Sequence, residues 1–225
     1  MKKILFMSSV LCSVLYFGQV TFGNTYSNNV SSVLFKNKVY DMENKNKEIQ
    51  GSAYVYEDFT DAYIKDAEGT PKVRYNAYKD DMEVKLENQV YIIPREPIFS
   101  NIKIISTGDI IRIEKFDYKN QPYEGYLFII SEKSPIIVYK KERVEFKDFE
   151  KPRNSYADET PARFIPQKTE FFIKIADGKI TELPKNKKKL IELLPEHQLK
   201  IEAFFKNNNV DLNNVADLKK LFSNI

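Results

Sequence analysis

Carboxylates are the chemically capable side chains that this chain has in quantity, with 32 Asp and Glu among 225 residues. Asp80, Asp81, Glu83, Asp109, Glu114 and Glu124 are the candidates for a pair. Two acids about 5 Å apart suit a retaining glycosidase, and about 6.5–9.5 Å an inverting one. With so many acids, proximity by chance is ordinary. The chain also has no Trp, a common sugar-stacking residue. Other chemistries lack their parts. His197 is the single histidine and Cys12 the single cysteine, so zinc and copper have no ligand set. A Ser-His pair would have to recruit His197, and no Gly-x-Ser-x-Gly turn exists. Seven scattered glycines form no phosphate loop. The stretch 211–217 lacks the Gly and distal Glu of a calcium loop. No cofactor and no metal site are expected.

The most distinctive local text is Arg74-Tyr75-Asn76-Ala77-Tyr78. If it is a strand, Arg74, Asn76 and Tyr78 share one face. An Arg, an amide and a Tyr in that row can line a groove for a polar ligand or peptide, and these three are the candidate ligand-binding residues. The same row reads more simply as a cross-strand ladder, with Arg74 paired to an acid on the returning strand. Lys185 and Lys187, Lys188 and Lys189 form a basic cluster. It is either a patch for anionic lipid or polysaccharide, or the solvated flank of a helix.

The first residues carry a different message. Lys2 and Lys3 precede an uncharged, largely apolar run over residues 4–17, which gives way to Gly18, Gln19 and Thr21-Phe22-Gly23. A positive start, a short apolar core and small residues at the exit make a secretory signal peptide over residues 1–23. The run is too short for a comfortable membrane helix, which takes about 20 residues. Removal takes Cys12 with it, so the mature chain has no disulfide and must be held by its core. It also removes Lys2 and Lys3, the only charges in the leader, lowering the formal net charge from +3 to +1. Acids and bases are interspersed along the remainder. Such a balance, together with export, disfavours nucleic acid as a partner.

The elements that must position these residues are mostly strands. Period-two segments separated by turns run over residues 30–183. They include 33–35, 39–40, 54–56, 90–93, 102–105, 110–116, 136–139 and 144–149. Residues 73–78 and 82–87 form the clearest hairpin, turning at Lys79-Asp80-Asp81. On its return strand Met82, Val84 and Leu86 alternate with Glu83, Lys85 and Glu87, which predicts one wet face. Residues 126–130 are continuously apolar, which places them centrally and covered on both faces. Residues 150–168, with Pro152, Pro161 and Pro166, read as a long loop. Asp177-Gly178 marks a hairpin between 171–175 and 180–183. After Pro184 the period changes to about 3.6, giving two or three short helices over 185–223, one of them capped by Asn214. None is long enough to be stable alone, so they must dock on the sheet. The expected fold is mainly β: one domain over residues 24–225, an antiparallel sandwich or strongly curved sheet of short strands with two or three short C-terminal α-helices.

The Arg-Tyr-Asn-Ala-Tyr block running into an acidic turn, with the tail Asp217-Leu218-Lys219-Lys220-Leu221-Phe222, resembles uncharacterised exported proteins of Gram-negative bacteria. The likeness spans residues 50–222 and implies the periplasm or cell exterior, without an activity or a site to carry over. The expected function is a non-enzymatic envelope module that binds a ligand or protein partner, with no transmembrane span in the mature chain. The candidate surface is the Arg74/Asn76/Tyr78 face together with loop 150–168. A carboxylate-dependent hydrolase of an envelope polymer is one alternative. An outer-membrane-associated β protein is the other; it needs strands of about 9–11 residues, longer than most here.

Overall fold

A computed structural model of the chain describes residues 20–21 and 49–225, apart from residues 66, 88, 120 and 152–158. The strands are β1 (Val20–Thr21), β2 (Thr60–Ile64), β3 (Ala67–Glu68), β4 (Lys72–Asn76), β5 (Asp81–Leu86), β6 (Gln89–Ile92) and β7 (Asn101–Ile104). They continue with β8 (Ile110–Tyr118), β9 (Gln121–Lys133), β10 (Ile136–Lys141), β11 (Val144–Lys147), β12 (Arg163–Pro166), β13 (Glu170–Ile175) and β14 (Thr181–Glu182). Three helices follow: α1 (Lys187–Leu193), α2 (Gln198–Asn207) and α3 (Val215–Asn224). Ten strands form one strongly curled antiparallel sheet, in the order β14-β13-β10-β9-β8-β7-β2-β4-β5-β6. The mainly β architecture with a short helical tail is therefore the one the periodicity implies.

The position of β9 explains the curl. Its run 126–130 is apolar at every residue, and it lies between β8 and β10 with core on both faces. Tyr126 and Phe128 point into a cluster with Tyr75, Met82, Phe99 and Ile111, built on β4, β5, β8 and the short 3₁₀ turn Pro97–Phe99 before β7. Leu127 points the other way, into Phe116, Tyr139, Phe172 and Ile180. On that second side β8, β9, β10, β13 and β14 bend until the far edge returns to β8. Phe116 and Ile180 form a parallel bridge there, and Ile180 accepts a hydrogen bond from the Asp117 amide at 3.5 Å. A bulge between Val138 and Tyr139 lets β10 feed both sides: Val138 joins the helices and Tyr139 the curled half.

The helices dock as their length requires. Leu190, Ile201, Leu218, Leu221 and Phe222 bury against Ile130, Ile136, Val138 and Ile173 of the sheet. The Asn186 side chain caps α1 through the Lys189 amide at 3.0 Å. Asn214 caps α3 through the amides of Ala216 and Asp217, at 2.8 and 3.2 Å. No described helix is long and apolar enough to cross a membrane.

Several local expectations differ from the structure. The β4–β5 turn begins at Ala77, earlier than the charged triplet suggests, because Asp80 takes a positive φ of 58° and closes it. Tyr78 therefore stands in the turn and leaves the face of Arg74 and Asn76. The return strand is not wet at Glu83, which is 1% exposed; partners described below neutralise it. Residues 54–56 make only an isolated bridge, Tyr54 to Asn76, and the strand falls instead at β2, where Ala62 and Ile64 are buried. Loop 150–168 contains β12, which pairs with β11 and is tied to Gln50 on its other edge. The predicted strands at 33–35 and 39–40 lie outside the described residues, as does all of the predicted leader except β1. Among the described residues that strand pairs, in parallel, with β3 alone.

Candidate functional site

Arg74 and Asn76 are consumed by one acid. Arg74 pairs with Glu83 directly across the β4–β5 ladder, its Nη2 2.9 Å and its Nε 3.3 Å from Glu83 Oε2. Asn76 Nδ2 donates to Glu83 Oε1 at 3.1 Å, and Tyr54 donates to the same oxygen at 3.4 Å. The Arg74 guanidinium is packed over the rings of Tyr54 and Phe59, 3.6 and 4.3 Å from their centroids. The ladder reading thus describes these two residues. The Asn76 side-chain oxygen accepts from the amides of Tyr78 and Lys79, which shapes the turn. Tyr78 meets the region 150–168 instead: its ring packs 5.5 Å from Phe164 and 6.2 Å from Phe146.

Most of the candidate carboxylates have partners of their own. Asp109 accepts from Tyr56 and from Thr107, Glu114 from Tyr139, and Asp81 lies 3.5 Å from Arg95. Glu124 is exposed at the start of β9. Among the described residues no group of three or more His, Cys, Asp or Glu is placed to hold a metal. His197 stands half-buried at the end of a short 3₁₀ turn before α2.

Asp80 is different. It closes the β4–β5 turn and drives its carboxylate into the curled half of the sheet, where it is 6% exposed. Lys141, at the end of β10 and 3% exposed, donates to Asp80 Oδ1 at 2.5 Å and to the Tyr126 carbonyl at 3.0 Å. The same Oδ1 accepts from the Tyr75 hydroxyl at 2.7 Å and the Tyr126 amide at 3.3 Å. Oδ2 accepts from the Tyr123 hydroxyl at 2.9 Å. Arg95 bolts the assembly from outside, donating to the carbonyls of Asp80 and Glu124 at 2.6 and 2.7 Å. Gly125 makes this possible, because a Cβ there would land on the Asp80 carboxylate. Burial pushes the Lys141 ammonium down, against the pull of Asp80. Burial, then Asp80, pushes Tyr123 up to about 12 and Tyr75 well above its ordinary value. Sequence reasoning did not pick out Lys141. The available signal was Gly125, an isolated glycine in a strand, which marks a close backbone approach.

Beside this pair the end of the curl opens into a groove of about 320 Å³. Its wall carries Lys119, Arg143, Lys168 and Lys185, with Glu145, Glu170 and Glu182 between them. Among the described residues none of the four cations has a carboxylate within 4 Å. Arg143 donates to the Tyr118 hydroxyl and lies 5.1 Å from that ring. Tyr118 donates in turn to Glu170 Oε1 at 3.3 Å, while Glu170 Oε2 is buried without a partner. Glu170 stands directly across the ladder from Lys141, so the groove's floor adjoins the buried pair. Of the predicted basic cluster only Lys185 lines the groove; Lys187 lies over the Phe205 ring and Lys188 faces Glu192. With these features described, the chain matches no protein-family model, no curated protein and no solved structure.

Two outcomes follow from the buried pair. Removing one partner of a buried ion pair costs about 3–5 kcal/mol, because the other charge stays buried and uncompensated. Asp80→Asn and Lys141→Met should each lower the urea stability by about 3 kcal/mol. The double variant should lose far less than the sum; simple additivity would show that the two charges are not coupled. The second outcome is alkaline. Tyr56 and Tyr123 are held up to about 12, and Tyr75, Tyr126 and Tyr139 are raised too, all chiefly by burial. The unfolded chain releases these protons near pH 10. Between about 10 and 12 the folded chain binds more protons, so stability is full below pH 10 and falls as pH rises through that window. A urea midpoint that is flat across it would contradict this account.

Proposed function

We propose that the protein is an exported, non-enzymatic envelope module that binds an anionic ligand in the groove at the open end of the curled half-sheet. The carrying observation is the set of four cations, Lys119, Arg143, Lys168 and Lys185, that line one cavity without a carboxylate partner. Elsewhere two cations that point into the sheet are neutralised by acids: Arg74 by Glu83, Lys141 by Asp80. Four cations against three acids, with no cation–carboxylate contact within 4 Å among them, leave the lining net positive, which favours an anion. A binding role is preferred to hydrolysis because five of the six candidate acids are tied to a phenol, a hydroxyl or a cation.

Export rests on residues 1–23, with their positive start, short apolar core and small-residue exit, and on the resemblance to exported proteins. Loss of the leader removes β1, whose ladder with β3 is two residues long and lies outside the ten-stranded sheet, so that sheet keeps every one of its described pairings.

The binding claim is tested by thermal unfolding with citrate as the probe anion. A ligand that binds only the native state raises the midpoint by mass action. Citrate should raise it for the natural chain and for Lys188→Gln, whose side chain is 88% exposed outside the groove. The gain should vanish in Arg143→Gln/Lys168→Gln. An equal shift in all three proteins would move the anion elsewhere and overturn the proposal. For export, fusion of residues 1–23 to alkaline phosphatase, which is active only outside the cytoplasm, should give an active, shortened enzyme. An inactive fusion of full length would refute it.

A further inference from the structure

We propose that the groove's natural ligand is an acidic saccharide chain, with Tyr123 as the ring on which a sugar stacks. This rests on the anion-binding reading of the groove and adds the chemical class of the ligand. A tyrosine at a surface usually keeps its hydroxyl wet and its ring covered. Tyr123 does the reverse. Its hydroxyl is engaged by Asp80 Oδ2 at 2.9 Å, yet the residue is 38% exposed, so what it offers is ring carbon. The ring is held in place, with the Phe116 ring edge-on at 5.5 Å and the Lys141 ammonium 5.5 Å from its centroid. An aromatic surface fixed in this way before the ligand arrives saves the ordering cost of binding.

What surrounds the ring selects the class of ligand. Tyr123 lines a second, open cavity of about 480 Å³ with Lys115, Asp117, Glu124 and Lys179. Two carboxylates can accept and two ammoniums can donate, which is the complement that sugar hydroxyls need. A lipid chain laid on the same ring would strip water from four charges without satisfying them. A bare inorganic anion would make no use of the ring. The acidic character comes from the neighbouring groove. The Tyr118 ring is 5.9 Å from Tyr123, and Lys119 and Arg143 lie 5.2 and 5.1 Å from the Tyr118 ring. A single aromatic ring therefore separates the stacking surface from two of the unpaired cations. A chain with sugar faces and regularly placed carboxylates can engage both together, whereas a neutral sugar or a small anion engages only one.

Titration calorimetry on the purified chain separates these cases with tetragalacturonate, maltotetraose and citrate. Stacking on an aromatic ring is worth about 0.5–1.5 kcal/mol, or roughly two- to twelvefold in affinity. Tetragalacturonate should bind more tightly than both other probes, by at least about twofold over citrate. Tyr123→Leu should erase that advantage with citrate affinity unchanged, which also shows that the variant is folded. Tyr123→Phe keeps the ring and should keep the advantage. Arg143→Gln/Lys168→Gln should weaken tetragalacturonate and citrate alike. If citrate binds in the groove and tetragalacturonate binds no better, or if Tyr123→Leu leaves the advantage intact, the saccharide assignment is wrong and the groove stands. If neither anion binds, the groove reading fails with it.

Discussion

The Asp80–Lys141 pair is the constraint on which the curled half of the sheet is arranged. Asp80 belongs to the β4–β5 turn and Lys141 to the end of β10, five strands away in the sheet. Their contact at 2.5 Å requires the sheet to bend until the turn lies over β9. A pair of buried charges tolerates little slack, since each loses its hydration and recovers it only through close, well-placed partners. Here every lone pair that matters is answered. Two phenols, an amide and an ammonium converge on the carboxylate, and a backbone carbonyl takes a further ammonium proton.

Such a cluster gives specificity of shape more readily than net stability. The charged pair depends on close placement, and Asp80 reaches its site through the gap left by Gly125, where a Cβ would meet its carboxylate. Arg95 then clamps the turn to β9 by its two carbonyl contacts. The aromatic row follows from this. Tyr123 is held by Asp80, and Phe116, Tyr118 and Phe172 pack edge-on or tilted beside it, with centroids 4.9–6.5 Å apart. The open end of the curl thereby acquires a rigid wall.

Most of the architecture is legible from period alone. The strict alternation at 82–86, the continuous run at 126–130 and the change of period after Pro184 each mark an element, and the last two also mark its burial, because an apolar face must leave water. Where the reading falls short, the missing information is long-range. Glu83 looks solvent-facing in its strand, and only Arg74, Asn76 and Tyr54, brought over it, make burial tolerable. β2 has two apolar residues facing the core, too few to stand out, and takes its place from β7 and β4 on either side. Lys141 follows an apolar strand and another lysine, so it reads as the strand's wet end. Nothing local announces an acid 61 residues earlier in the chain. The candidate row Arg74, Asn76 and Tyr78 divides for the same reason, since Asp80 closes the turn at a point that the charges of 79–81 do not mark.

The same long-range arrangement accounts for the contrast between the two sets of charges at this end of the molecule. The inner set is closed: Asp80, Lys141, Glu83 and Arg74 have each found their counterion, and all but the partly exposed Arg74 are buried. The outer set at the groove is open. Arg143 has only a phenol, and the neighbouring Glu170 keeps one oxygen without a partner. An unanswered buried oxygen costs about 1–3 kcal/mol. Folding could have removed that cost by placing Arg143 on Glu170, as it placed Arg74 on Glu83. It places Tyr118 between them instead, which keeps the guanidinium at the groove wall and free of a carboxylate. A cation held there by an uncharged neighbour remains available to an incoming anion, and its hydration is the only thing that anion must displace.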